Sequence, residues 1–327
     1  MGRMVDGEWR TDVEQIEHGE GGEFERETTA FRDWVDEDES VEPGRYHLYV
    51  SYACPWAHRT LLTRALKGLE DAVSVSVVDP VRFDQGWAFA PEKPGCTPDH
   101  VHGSDYLREV YAHADPDYTG RVTVPVLYDT VADTIVNNES EEIVRMLDVA
   151  FDDLAARDVD LYPEGYREEV DRVIDDIYDP INNGVYRAGF AATQRAYEDA
   201  VDDLFAALER YDDRLADQRY LAGDALTEAD VAMFTTLYRF DEVYHTHFKC
   251  NRRRVADYEH LWPYLRELCQ LPGVADTLHM DHVKQHYYRS HGDLNPGRLV
   301  PTGPNPEFFA PHDRDDLPGG PPEALRQ

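Results

Sequence analysis

The run Ser51-Tyr52-Ala53-Cys54-Pro55-Trp56-Ala57-His58 holds the residue best suited to chemistry, Cys54. An alternating stretch, Arg45 to Ser51, precedes it, and Pro55 stands where a helix would begin. That order puts the sulfur at a helix N-terminus, where unsatisfied N–H groups and the helix dipole favour a thiolate. Such positions bring a cysteine pKa from about 8.5 into the range of roughly 3.5–7.5. The competing reading is a buried structural thiol. Cys-Pro-Trp-Ala has no second cysteine at the usual resolving position. A disulfide formed at Cys54 then needs an outside thiol, unless Cys96 folds back onto it. This favours thiol transfer with a small-molecule thiol over dithiol oxidoreduction. His58 shares a helix face with Cys54 and either supports the thiolate or packs within the helix.

Val124-Pro125 is a candidate cis peptide at the entry of a strand, with backbone groups of Val124 offered to an extended peptide. Asn138-Glu139-Ser140 opens a helix, and its hydroxyl and N–H groups suit a carboxylate; simple N-capping by Asn138 is the alternative. Together Cys54, Val124, Glu139 and Ser140 outline a site for a short γ-glutamyl peptide.

The elements that must hold these residues follow a β-α-β-α-β-β-α order. Strands are expected over 45–51, 72–80, 122–129 and 134–136, and helices from Pro55 to near Gly68, over 104–114 and over 139–149. A long loop, 81–103, lies between the second strand and second helix. After an acidic linker, long helical patterns run over 164–179, 193–215, 227–243 and 257–268. The expected divisions are an N-terminal arm (1–44) anchored by Phe24, Phe31 and Trp34, an α/β domain (45–150), an all-α domain (163–290) and an extended tail (291–327).

Composition narrows the class. Asp and Glu number 66 against 32 Lys and Arg, a net charge of −34, and only four of the basic residues are lysines. No basic stripe suits nucleic acid, and an anionic membrane surface would repel the chain. No apolar run approaches the roughly 20 residues of a membrane span, and no signal-peptide core opens the sequence. Four scattered cysteines in a chain of 327 residues point to a reducing, cytoplasmic setting. Dispersed acid with scarce lysine reads as adaptation to concentrated salt, where the Debye length falls to about 3 Å. No metal is expected: His245, His247 and Cys250, or His279, His282 and His286, match no zinc spacing. Thr227-Glu228-Ala229-Asp230 reads as a capping box that serves folding. Arg252-Arg253-Arg254 reads as an ion-pairing partner for the acidic surface.

Residues 45–310 resemble the xi class of glutathione transferases, the glutathionyl-hydroquinone reductases. The resemblance is carried by residues 51–60, Gly86-Trp87-Ala88-Phe89, residues 121–127, Asn182 to Phe190, Thr246 to Cys250, His286 to His291 and Asn295-Pro296. It implies a thioredoxin-like α/β N-terminal domain joined to an all-α C-terminal domain. It implies Cys54 as the nucleophile and Trp87, Arg121, the Val124 backbone, Glu139 and Ser140 as holders of a γ-glutamyl thiol. Tyr186, Tyr244 and Tyr287 match the tyrosines lining the hydroquinone pocket, with Arg239 near them; Tyr186 and Tyr287 are the expected proton donors. No bound cofactor is implied; glutathione or γ-glutamylcysteine would be co-substrate. A quinone-derived thioether would be the other partner, and a homodimer the assembly. Two other readings remain: a general deglutathionylase or reductive dehalogenase, and a non-catalytic regulatory protein on the same fold.

Overall fold

The computed structural model describes residues 2–13, 16–36 and 41–326; residues 1, 14–15 and 37–40 of the expected arm, and 327 of the expected tail, lie outside them. The chain forms two units, each discontinuous in sequence. The first comprises Met1–Gln15, Glu27–Ala156 and His279–Val300; the second comprises Ile16–Arg26, Arg157–Leu278 and Pro301–Gln327.

The arm is more structured than expected. β1 (Arg3–Val5) pairs antiparallel with β2 (Glu8–Arg10) across Asp6-Gly7, whose φ angles are 48° and 76°. Two positive φ values in a two-residue loop suit Asp-Gly, a hairpin signal present in the sequence. A smaller hairpin joins β3 (Glu17–His18) and β4 (Phe24–Glu25). Phe31 packs edge-on against Tyr111, with centroids 5.7 Å apart. Trp34 is no anchor: it is half exposed, and the neighbouring Val35 is the buried residue.

The first unit is built on β5 (Tyr46–Val50), β6 (Ser74–Val77), β7 (Val126–Asp129) and β8 (Thr134–Asn137), in the order β6-β5-β7-β8. β5 and β6 are parallel, and the other pairs are antiparallel. β7 is shorter than expected because Pro125 has no N–H for a ladder, and the pairing begins at Val126. Residues 31–33 run along β8, with Asp33 N–H donating to Val136 O at 3.0 Å, so the arm covers an otherwise open sheet edge.

α1 (Pro55–Lys67) starts at its proline and stops at Gly68, whose φ of 68° lets its N–H turn back to Ala65 O. Most of α1 is buried, including Lys67, whose ammonium lies 2.9 Å from Asp148 and 2.8 Å from Asp152. α2 (Leu107–Ala114) and α3 (Ser140–Val149) complete the α/β layer.

The second unit holds α4 (Arg167–Ile177), α5 (Gly184–Gly189), α6 (Gln194–Arg214), α7 (Glu228–Arg239), the turn α8 (His245–His247) and α9 (Leu261–Cys269). Single π-helical turns at Tyr178–Asn182 and Phe240–Tyr244 flank α5 and α8, and the second ends the long helix expected over 227–243. Asp230 accepts from the N–H groups of Thr227 and Leu221, so the capping box is a buried folding device. The tail is draped and pinned: Arg314 is buried, reaches Glu267 at 3.1 Å and donates to the carbonyls of Leu215, Gln218 and Arg219.

α10 (Met280–Ser290), which the sequence reading grouped with the helical domain, belongs to the first unit. Its imidazoles explain the grouping: His286 Nδ1 lies 2.7 Å from Pro80 O and His282 Nε2 lies 2.8 Å from Pro94 O, both in the loop after β6. Among the described residues, no helix is long and apolar enough to cross a membrane.

Candidate functional site

Cys54 is the N-cap of α1, with extended backbone (φ −76°, ψ 123°) and no side-chain capping bond. Its N–H turns back to Ser51 O at 3.1 Å, and its carbonyl accepts the first helical bond, from His58, at 2.9 Å. The sulfur is half-buried and lies 3.5 Å from Val124 O, beside a cis Val124-Pro125 peptide. The anticipated neighbours, nucleophile and cis-proline loop, are therefore in contact. His58 is buried in α1.

Val124 lies just outside the β5–β7 ladder, whose register starts at Val126. Glu139, not Asn138, is the N-cap of α3. The Asn138 side chain is used elsewhere: Oδ1 accepts from Phe31 N–H and Nδ2 donates to the Tyr111 hydroxyl, both at 3.1 Å. Ser140 is buried and its Oγ lies 3.4 Å from Glu139 Oε1. Arg121 is half-buried, and its carbonyl accepts from Tyr118 at 2.9 Å.

Trp87 is held from three sides. Gly86 (φ 79°) turns beneath the Trp9 indole, where a Cβ would meet the ring at 3.0 Å. The Trp87 carbonyl accepts Leu107 N–H at 3.0 Å, and the indole stacks on His286 with centroids 5.1 Å apart. Trp87 is buried, and its Nε1–H has no acceptor among the described residues. Tyr287, also buried, meets His286 edge-on at 5.2 Å, so one histidine links Trp87 to Tyr287 within the first unit. In the sequence His286 stands as a rejected metal ligand and as the start of the motif His286 to His291, with no local sign of this stacking. Tyr111 was missed as well; a buried tyrosine among 20 carries no sequence signal.

The remaining candidates lie in the second unit. Tyr186, on α5, has its ring 6.0 Å from that of Tyr244 and 5.5 Å from that of Phe248. Tyr244 stacks on Phe248 within 14° of parallel. The Arg26 guanidinium lies 4.9 Å from the Tyr186 centroid, and its Nε donates to Asn183 at 2.9 Å. Arg239 is fully buried and donates to Thr235 O at 2.8 Å. Tyr186, Tyr244 and Phe248 make an aromatic cluster with the Arg26 guanidinium at one edge, chemistry suited to a flat, polarisable ring.

Cys96 donates weakly to Val78 O at 3.8 Å, and burial pushes its thiol up to about 11. Cys250 and Cys269 are buried, and burial raises both thiols well above the usual range. His247 is held down to about 4 by its own burial. Arg252 pairs with Asp202 and Arg254 with Asp257, as the acidic surface led one to expect.

Residues 53–150 match the glutathione S-transferase N-terminal domain, and residues 194–267 match the glutathione S-transferase C-terminal domain. Over 325 residues the chain is 48% identical to the glutathionyl-hydroquinone reductase YqjG of Escherichia coli (strain K12), covering 96% of this chain and 99% of that protein. It is 49% identical over 304 residues to the glutathionyl-hydroquinone reductase PcpF of Sphingobium chlorophenolicum, with 93% and 96% covered. A xi-class transferase structure from Natrialba magadii superposes with a TM-score of 0.93 at 63% identity over 98% of each chain. The glutathione-bound structure of YqjG gives 0.88 at 46% identity, covering 96% of this chain and 99% of that one.

Proposed function

Because this chain belongs to the xi class of glutathione transferases, the family of the glutathionyl-hydroquinone reductases, we propose that it reduces thiol–hydroquinone conjugates to hydroquinones through Cys54. The observation that carries the reading is the Cys54 sulfur at the start of α1, 3.5 Å from the carbonyl beside the cis-proline. The helix dipole favours a thiolate there.

In the proposed reaction the Cys54 thiolate attacks the thioether sulfur of the conjugate. A sulfur–sulfur bond forms as the aryl carbon–sulfur bond breaks, and the aryl carbon leaves with the bonding pair and takes a proton. Tyr186 and Tyr287 are the proposed proton donors. The aryl group is reduced, and the sulfur of the conjugate is oxidised into a mixed disulfide with Cys54. A second molecule of thiol then attacks that disulfide, giving the symmetrical disulfide and restoring Cys54. Trp87 suits its part as a binder of the thiol peptide, because its buried N–H awaits an acceptor such as a carboxylate. Arg121, the Val124 backbone, Glu139 and Ser140 complete the proposed thiol contacts, and the resemblance assigns Tyr186, Tyr244, Tyr287 and Arg239 to the hydroquinone.

Those thiol contacts concentrate on the γ-glutamyl end, so γ-glutamylcysteine is proposed to serve at least as well as glutathione. A cytoplasmic homodimer completes the proposal; none of the four cysteines is in a disulfide, in keeping with a reducing compartment. The test is Cys54→Ala assayed on a glutathionyl-hydroquinone. Loss of turnover supports the reading, and undiminished turnover ends it.

A further inference from the structure

We propose a divalent-metal site in the first unit, formed by His102, His113 and Asp133 at the end of the sheet away from Cys54. The three residues come from separate segments: the loop after β6, the last turn of α2, and the turn between β7 and β8. Their ligand atoms all lie within 4.8 Å of one another. His113 Nε2 is 2.8 Å from Asp133 Oδ2, His102 Nε2 is 3.6 Å from Asp133 Oδ1, and the imidazole centroids are 4.3 Å apart. Zinc bonds of about 2.0–2.2 Å set at tetrahedral angles separate two ligand atoms by roughly 3.4 Å. The two histidine–carboxylate separations, one to each oxygen of Asp133, lie on either side of that value.

Two of the three ligands are held from behind. Asp99 accepts from the N–H groups of Val101, His102 and Ser104, which fixes the loop carrying His102. Asp133 sits at φ 58°, a left-handed conformation that aspartate tolerates, with its N–H on Asp129 O at 2.8 Å. The buried Tyr128 hydroxyl donates to Asp133 Oδ1 at 3.0 Å and so orients that carboxylate, as outer hydrogen bonds do in metal centres. Its 2.9 Å contact with His102 Nε2 is one that coordination at that nitrogen would replace.

A metal bound here would be coordinated by both rings in their neutral form. Two imidazoles and a carboxylate suit zinc and its transition-metal neighbours, not magnesium or calcium. The side chains of His113 and Asp133 are 46% and 53% exposed, which leaves room for solvent to complete the coordination. β7 runs antiparallel to β5, with Asp129 opposite Tyr46, so the turn carrying Asp133 lies at the start of β5 while Cys54 follows its end. The site therefore staples three segments and takes no part in thiol chemistry.

The experiment uses the full chain carrying Cys54→Ser, which removes competition from that sulfur, freed of metal by chelation. It is titrated with Zn²⁺ by calorimetry in molar KCl, where diffuse attraction of cations to the acidic surface is screened. The expected result is one ion per chain with micromolar affinity, no heat from Mg²⁺, and Co²⁺ absorption bands of nitrogen and oxygen ligation. His102→Ala and His113→Gln should each weaken binding by at least about tenfold. The exposed His113→Gln variant, with a melting curve matching its parent in the absence of metal, carries the test if His102→Ala folds poorly. Absence of one-site binding in the parent, or unchanged affinity in the folded variants, overturns the proposal.

Discussion

The carboxamide of Asn138 donates from Nδ2 to the hydroxyl of Tyr111 at 3.1 Å, and the same hydroxyl donates to Thr123 O at 2.9 Å. Thr123 N–H returns a bond to it at 3.3 Å. One buried phenol thus ties the loop before the cis-proline to the residue before Glu139-Ser140, two backbone stretches proposed to hold the thiol. Tyr111→Phe leaves these partners unsatisfied, at about 1–3 kcal/mol for each buried group. We expect a several-fold rise in KM for the thiol with a smaller change in kcat. Steady-state kinetics with the thiol varied check this, and an unchanged KM would detach Tyr111 from the alignment of the site.

The four cysteines should separate by reactivity. With its thiol pushed up to about 11, Cys96 is ionised in only about one molecule in ten thousand at pH 7. Cys250 and Cys269 are buried as well as raised. Iodoacetamide at neutral pH should therefore label Cys54 first, Cys96 slowly, and the other two only on unfolding, as read by peptide mass spectrometry. Cys96→Ser should retain turnover. Comparable labelling of Cys96 and Cys54 would return Cys96 to the role of resolving thiol.

Charge pairs of equal appearance in sequence should differ in worth. Arg314→Ala strips a buried partner from Glu267 and orphans three carbonyls, so a loss of about 3–5 kcal/mol is expected. Arg252→Ala breaks a pair whose side chains are 50% and 64% exposed, and should change stability by less than about 1 kcal/mol. Denaturant melts in molar KCl measure both. Similar losses would mean that burial does not govern these pairs.

Asp230 gives a pH signature. Burial is the main cause that raises its carboxyl to about 6, against four bonds from Thr227, Leu221 and Tyr264 that pull it down. A folded pKa above the unfolded value of 3.8 means that the native state holds the proton more tightly. The stability this contributes is fully present below 3.8 and lost as pH rises through about 6. The stability of the parent minus that of Asp230→Asn should therefore grow as pH falls from 6 to 4, by at most about 3 kcal/mol. A flat difference would show that the carboxyl titrates normally.

The net charge of −34 should make both activity and melting temperature fall on transfer from molar salt to dilute buffer. Full activity and stability in dilute buffer would refute the salt-adapted reading of the composition.

The sequence by itself determined the local order of the first unit: Pro55 and Gly68 bracket α1, and valine-rich alternation marks the strands. It also singled out Cys54 and Pro125, because proline and a helix-capping cysteine act through their immediate neighbours. Asp6-Gly7 stood in the sequence as a hairpin signal and was passed over within an acidic stretch. Tertiary structure decided the rest. Glu139 took the N-cap position because Asn138 was drawn to Phe31 and Tyr111, more than 25 residues away along the chain. α10 joined the first unit because its histidines bond the carbonyls of Pro80 and Pro94. His102, His113 and Asp133 meet only because a loop, a helix and a turn converge at one end of the sheet. Such contacts depend on which distant groups satisfy one another when water is excluded, and no local pattern of residues encodes that.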